Sequence, residues 1–232
     1  MKSLNCQDSL LFHPPELGSV LFLPGLPGGG SRIYDRSPYG KIVTVIGAVW
    51  KLTAGGVPYL AFDGVDDYLS LTNAPQLQIT GDLTLKTWVK SSNYTVRNAL
   101  FRKDYNKEYF LCLYASGNPN GRVTFSHGNG SSSETPIDIT GVLPVVNTWF
   151  HIVLTRDAST RVCSLYVNGN LKQTSAVYSL TPVASGFDIL LGRYSNEFMP
   201  GNMTLIEMHC RTWQALEVQN SFNREKNIFG VW

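Results

Sequence analysis

The chain has 232 residues, 43% of them hydrophobic and only 16% charged, with 21 glycines and 12 prolines spread along it as punctuation. This is enough apolar material for a sizeable core, and the turn-forming content suits strands; an all-β unit of this size is ordinarily a single domain. The formal net charge of +2 comes from scattered Lys and Arg without a polybasic stripe, which argues against a nucleic-acid partner, and no apolar run approaches a membrane span, which argues against membrane insertion.

Residues 1–17 show no periodicity and contain Pro14-Pro15, which removes two backbone donors, so an irregular arm is expected ahead of one domain over 18–232. The opening stretch lacks the charged start, apolar run and cleavage site of a secretory signal, and synthesis in the cytoplasm without one is the expectation. A short strand over 20–23 leads into a glycine-rich stretch, 25–31, which no Gly-Lys-Ser/Thr follows; it reads as a flexible loop, not a phosphate loop. A strand over 42–49 is interrupted at Gly47. Residues 59–62 and 68–71 flank Asp63-Gly64 and read as a hairpin, because Asp-Gly tolerates the positive φ of a tight turn.

Over 83–90, Leu83, Leu85, Thr87 and Val89 share one face, and Thr84, Lys86, Trp88 and Lys90 the other. Strands are expected over 99–101, 109–114 and 122–126, with Glu134 and Asp138 in a Ser- and Pro-containing loop beyond them. The clearest pair spans 149–169: Phe150, Ile152 and Leu154 alternate with His151, Val153 and Thr155, and Cys163, Leu165 and Val167 alternate with Ser164 and Tyr166. Asn168-Gly169 then turns the chain into a return strand over 171–176. Strands over 187–192 and 203–210 follow, and a short helix is expected over 215–225. Strands of this length and spacing imply an all-β, two-sheet antiparallel sandwich.

Few side chains carry a chemical signal. Cys6, Cys112, Cys163 and Cys210 match neither a metal nor a disulfide pattern and are expected as small buried hydrophobes. Glu207 and His209 share a face opposite Ile206, Met208 and Cys210, which predicts a surface pair. His13, His127 and His151 are not spaced as metal ligands, and no strand carries the alternating carboxylates of a glycan hydrolase, so no catalytic residue is assigned. Among the aromatic residues, Tyr109 and Tyr114 are further binding material, and Tyr94, Arg97, Tyr105 and Tyr194 fall in loops where packing does not account for them. Aromatic faces stack on sugar rings, and Tyr and Arg anchor protein interfaces, so these last four are the candidate contact residues. Asp63, Asp66 and Asp67 could offer oxygens to calcium, against which stands the regular use of Asp in turns; no other cofactor is expected. Three Asn-x-Ser/Thr matches, at Asn93, Asn129 and Asn202, are read as chance matches.

Six stretches in order, FDGVDDYLSL at 62–71, LTLKTWVK at 83–90, WFHIVLTRD at 149–157, LYVNG at 165–169, ILLGR at 189–193 and GNMTLIEMHC at 201–210, resemble the laminin-G-like jelly roll of the concanavalin A-like lectin and glucanase superfamily. The resemblance implies two facing sheets of about six or seven strands each and places Trp88 and Trp149 at positions that usually pack. Where many relatives have an acidic residue after the glycine of the last strand, this chain has Gly201-Asn202-Met203-Thr204, which weakens the case for calcium there. The superfamily hosts lectins, adhesion modules, hydrolases and virion accessory proteins, so the fold leaves function open. The expectation is a non-enzymatic surface-binding or structural module, foremost a virion accessory protein such as a phage capsid decoration or tail component, its partners a capsid or tail assembly or a host surface, with a homo-oligomer allowed. The alternative is a glycan-binding lectin or carbohydrate-binding module acting on cell-surface glycan, with a glucanase-type enzyme ranked below both.

Overall fold

The computed structural model describes residues 17–24, 30–114 and 121–232. The expected arm, apart from Leu17, lies outside the described residues, as do Cys6, His13 and most of the glycine-rich stretch.

In chain order the strands are β1 (Ser19–Leu23), β2 (Arg32–Tyr34), β3 (Ile42–Ile46), β4 (Val49–Leu52), β5 (Pro58–Asp63) and β6 (Tyr68–Leu71). Next come β7 (Leu83–Ser91), β8 (Asn98–Asp104), β9 (Tyr109–Tyr114), β10 (Arg122–Gly128), β11 (Ser133–Thr140) and β12 (Phe150–Asp157). The last six are β13 (Val162–Val167), β14 (Asn170–Thr174), β15 (Ile189–Leu191), β16 (Arg193–Tyr194), β17 (Glu197–Phe198) and β18 (Pro200–His209). A helix, α1 (Ala215–Glu225), and a short 3-10 turn over 226–229 follow.

The first sheet runs β14-β13-β12-β7-β18-β5-β4 with β1 also on β18, and the second runs β11-β10-β9-β8-β15-β6-β3-β2; β16 and β17 form a separate ribbon. Each large sheet therefore has eight strands rather than six or seven, all of its pairs antiparallel. The best-patterned stretch is central as expected: Leu154 on β12 faces Leu165 on β13 and Leu85 on β7. Asn168 and Gly169, with φ of 51° and 73°, make the tight turn into β14, a geometry whose twist matches that of the strands it joins. Inward-facing Leu85, Leu154, Leu165 and Met208 share one core with Leu111 and Phe125 of the opposite sheet.

Two expectations about strands fail for identifiable reasons. β5 and β6 are not a hairpin: β5 pairs with β18 and β4 in the first sheet, β6 with β3 and β15 in the second, so the turn at Gly64 carries the chain across the core. Leu60 and Phe62 on β5 and Leu69 and Leu71 on β6 are buried in either arrangement, because alternation fixes which face is apolar and not which sheet holds it. Glu134 and Asp138 lie on a strand, β11, not in a loop; as the edge of its sheet β11 accommodates Pro136, whose missing N–H leaves no internal pairing broken.

The outer face of the first sheet is closed by α1 and the chain after it. Val218 packs with Val153, Tyr166 and Trp213, and Phe222 and Phe229 pack with Trp88, Leu205 and Val57. Glu207 and His209 are therefore buried under the helix rather than paired at the surface. Lys86 Nζ lies 2.7 Å from Glu207 Oε1 and 2.9 Å from Glu225 Oε1, Trp88 Nε1 donates to Glu225 Oε2 at 2.6 Å, and His209 Nε2 is 3.1 Å from Glu207 Oε2. Burial works against charge on both partners, yet the two glutamates raise the Lys86 pKa, and Lys86 with His209 holds Glu207 well below the usual carboxylate range. Cys112 and Cys163 are buried as expected, burial pushing the Cys163 thiol up to about 12, whereas Cys210 is exposed.

Candidate functional site

With one sheet face sealed, the outer face of the second sheet is the one that the described residues leave open. On β9 the alternation sends Tyr109, Leu111 and Leu113 into the core and Phe110, Cys112 and Tyr114 outward. On β10 Val123 and Phe125 go inward while Arg122, Thr124 and Ser126 line the surface; β11 adds Thr135 and Asp138. These residues floor a hollow of about 190 Å³, walled by Arg97, Tyr105 and Tyr194.

The walls are held in place. Tyr194, on the β16–β17 ribbon, stacks on Phe110 with ring centroids 4.9 Å apart and planes 19° from parallel. The Arg97 guanidinium sits 5.1 Å from the Tyr194 ring centroid and 5.5 Å from that of Tyr114; Glu197 pairs with it and also accepts the Arg97 main-chain N–H at 2.7 Å. Arg122 forks onto both oxygens of Asp138 on the neighbouring strand, donates to the Tyr114 hydroxyl at 3.3 Å, and has its pKa raised by the Asp138 hydrogen bonds. The result is a set of fixed ring faces beside oriented donors and acceptors, the arrangement that recognises a flat ligand with polar edges.

Of the four contact residues expected from sequence, Arg97, Tyr105 and Tyr194 come together here, with Tyr105 48% exposed at the wall. Tyr94 does not: it is 5% exposed, its hydroxyl donates to the Pro144 carbonyl at 3.0 Å, and burial raises its pKa to about 12. It is a packing residue, its ring lying against Gly121, where a Cβ would come within 3.0 Å of it. Tyr109 is likewise interior, donating to Leu77 O at 3.1 Å, and Trp88 is fully buried, while Trp149 is half-buried against Tyr59 and Phe229. Sequence reasoning missed Phe110, Arg122 and Asp138. The alternation of YFLCLY already sets Phe110 and Tyr114 on one face; placing Asp138 opposite Thr124 required recognising β11 as a strand.

Asp63, Asp66 and Asp67 do converge, with one carboxylate oxygen from each within 4.8 Å of the others. Asp63 Oδ1 accepts the Val65 N–H at 2.8 Å and Asp67 Oδ2 accepts the Asp63 N–H at 2.8 Å, so both side chains hold the turn between the sheets. Burial and the neighbouring carboxylates raise the Asp67 pKa. Oxygen donors suit calcium, which takes six to eight of them, and the trio would be part of such a shell.

This two-sheet jelly roll matches many solved structures. Among them are the binding domain of Paraclostridial Mosquitocidal Protein 1, at a TM-score of 0.73 and 16% identity over 92% of this chain and 55% of that one. The binding domain of botulinum neurotoxin DC in complex with rat synaptotagmin II aligns at a TM-score of 0.70 and 15% identity, covering 89% and 51%. A structure of botulinum neurotoxin type C, described as depending on interaction with two ganglioside molecules to enter cells, aligns at 0.68 and 15%, covering 89% and 51%. The chain thus spans about half the length of these structures, and the likeness is one of fold. No curated protein matches it in sequence. Residues 63–219 match the profile of the concanavalin A-like lectin/glucanases superfamily, and the chain belongs to that family.

Proposed function

We propose that the protein is a non-enzymatic recognition module whose open sheet face binds a ligand displayed on a surface, a glycan in the first instance. The observation that carries this reading is the hollow walled by Tyr194, Arg97 and Tyr105 over the Tyr114 and Arg122–Asp138 floor. Glycoside hydrolysis of either stereochemistry takes two carboxyl groups flanking the bond, and of the residues lining the hollow Asp138 alone is acidic and is paired with Arg122. The fold likeness to toxin binding domains, one described with a protein receptor and one with gangliosides, supports a binding role without choosing the ligand.

A glycan array probed with the wild-type chain and with Tyr194→Ala tests the reading. We expect binding that the substitution reduces by roughly tenfold or more, the size of one lost aromatic platform; binding unchanged by Tyr194→Ala would overturn the site. The reading needs no cofactor, and repeating the array with calcium and with EDTA decides whether Asp63, Asp66 and Asp67 contribute. We further propose a virus particle as the setting, as a capsid decoration or tail component displaying the open face, for which the breadth of the superfamily is the support. Binding of the purified chain to capsids or tails is the expected result.

A further inference from the structure

The open face is longer than its deepest hollow. Cross-strand register places Arg32 opposite Thr44, Thr44 opposite Ser70, and Ser70 opposite Leu190. Leu190 in turn faces Arg102, Arg102 faces Phe110, and Phe110 faces Ser126, whose hydroxyl lies 2.9 Å from that of Thr135. One residue from each of the eight strands thus forms a row at right angles to them, roughly 33 Å long at ~4.8 Å per strand. A second hollow of about 400 Å³, lined by Arg102, Phe187, Asp188 and Leu190, lies along this row beside the first. Arg102 and Tyr194 make the ridge between the two, the guanidinium 5.2 Å from the ring centroid.

Charge along the row is unbalanced. Arg97 is matched by Glu197 and Arg122 by Asp138, but among the described residues Arg102 makes no ion pair and lies against the Tyr194 ring; Asp188, the one acid among the described residues lining the second hollow, accepts the Asn73 N–H at 2.8 Å. Lys107 lies over the Phe187 ring at 5.9 Å and Arg32 is exposed at the far end, also without an ion pair among the described residues. Phe187 is 60% exposed, a large apolar ring presented to solvent at the edge of the second hollow. A guanidinium left unmatched between two ring-bearing hollows suits an anion carried between two sugar rings.

We propose that the open face binds a linear acidic polysaccharide laid across the strands, with an anionic substituent at Arg102 and sugar units in the hollows on either side, against Tyr194 and Phe187. This rests on the reading of the open face as a glycan-binding surface. The shared chemistry is an anionic oxygen cluster, which a uronate carboxylate or a sulfate ester supplies equally.

The test is calorimetric titration of the full chain with polygalacturonate and hyaluronan as carboxylate probes, dextran sulfate as a sulfate probe, neutral cello-oligosaccharides, and single-stranded oligo-dT. Expected are binding to at least one acidic glycan, weakening with salt, and affinity that rises with fragment length until both hollows are spanned. Arg102→Gln should lower that affinity by roughly tenfold and remove the preference over neutral chains, the loss expected for one charge-assisted contact. Phe187→Ala should weaken long fragments and leave short ones unchanged; unaltered melting temperatures show that both variants fold. Preference for neutral glycans, insensitivity to Arg102→Gln, or tighter binding of oligo-dT than of every acidic glycan would overturn this inference while leaving the glycan or surface-binding question to the array. Absence of binding to every glycan here and on the array would remove both readings together.

Discussion

Single buried side chains set how this protein responds to acid. His127 has no exposed side-chain surface; its Nε2 lies 3.0 Å from Glu134 Oε1, and Glu134 also accepts the main-chain N–H groups of Ser179 and Leu180 at 2.9 and 2.7 Å. Burial first, and the Arg156 charge second, lower the His127 pKa from 6.5 to about 4. An unfolded chain therefore binds a proton at this position that the folded chain refuses, and stability must fall as pH drops from about 6.5 to about 4. At 1.36 kcal/mol per unit the loss is about 3 kcal/mol, and His151, also lowered by burial, adds a further loss that begins as pH falls below its ordinary value. Glu134, whose backbone hydrogen bonds outweigh its burial and lower its pKa, contributes stability that is lost only below the ordinary carboxylate range. Urea midpoints measured across this range should show the slope, and His127→Asn should make it shallower, His151 supplying what remains.

At the scale of elements, α1 and β7 are joined through charge. Lys86 is buried between Glu207 of β18 and Glu225 of the helix, so removing it strands two carboxylates out of water. Lys86→Met should destabilise the chain by about 3–5 kcal/mol in chemical denaturation, whereas replacing all three charged groups by apolar residues of similar volume should recover most of that loss. The same cluster explains what the sequence leaves hidden. Thr84, Lys86, Glu207 and His209 are polar at alternate positions, which is the signature of a solvated face; here they lie inside, because Thr84 bonds the Arg211 carbonyl and Lys86 pairs with Glu207 and Glu225, partners more than a hundred residues away in the chain. Strand existence, by contrast, is a local property, and β7, β9, β12, β13 and α1 are legible from period alone.

For the whole molecule, legibility stops where sheets are assembled. Period two announces that Leu60 and Leu69 are inward, but only the closed sandwich reveals that they enter one core from different sheets. The candidate site follows the same rule: Tyr105 and Tyr194 stand out as unexplained loop aromatics, whereas Arg122 and Asp138 acquire meaning only when β10 and β11 lie side by side. Sealing one face with α1 is what leaves the other available, so on the proposed reading the helix, though outside the site, decides where recognition can occur.

That division also sorts the chromophores. Trp88, Trp149 and Trp213 gather around the C-terminal segment, and none of the five tryptophans lines either hollow, where tyrosine and phenylalanine stand instead. Indole emission, with Trp50 against the core and the exposed Trp232 as its other sources, thus carries little from the open face; replacing Trp50 and Trp232 by phenylalanine leaves an optical gauge of the sealed face alone.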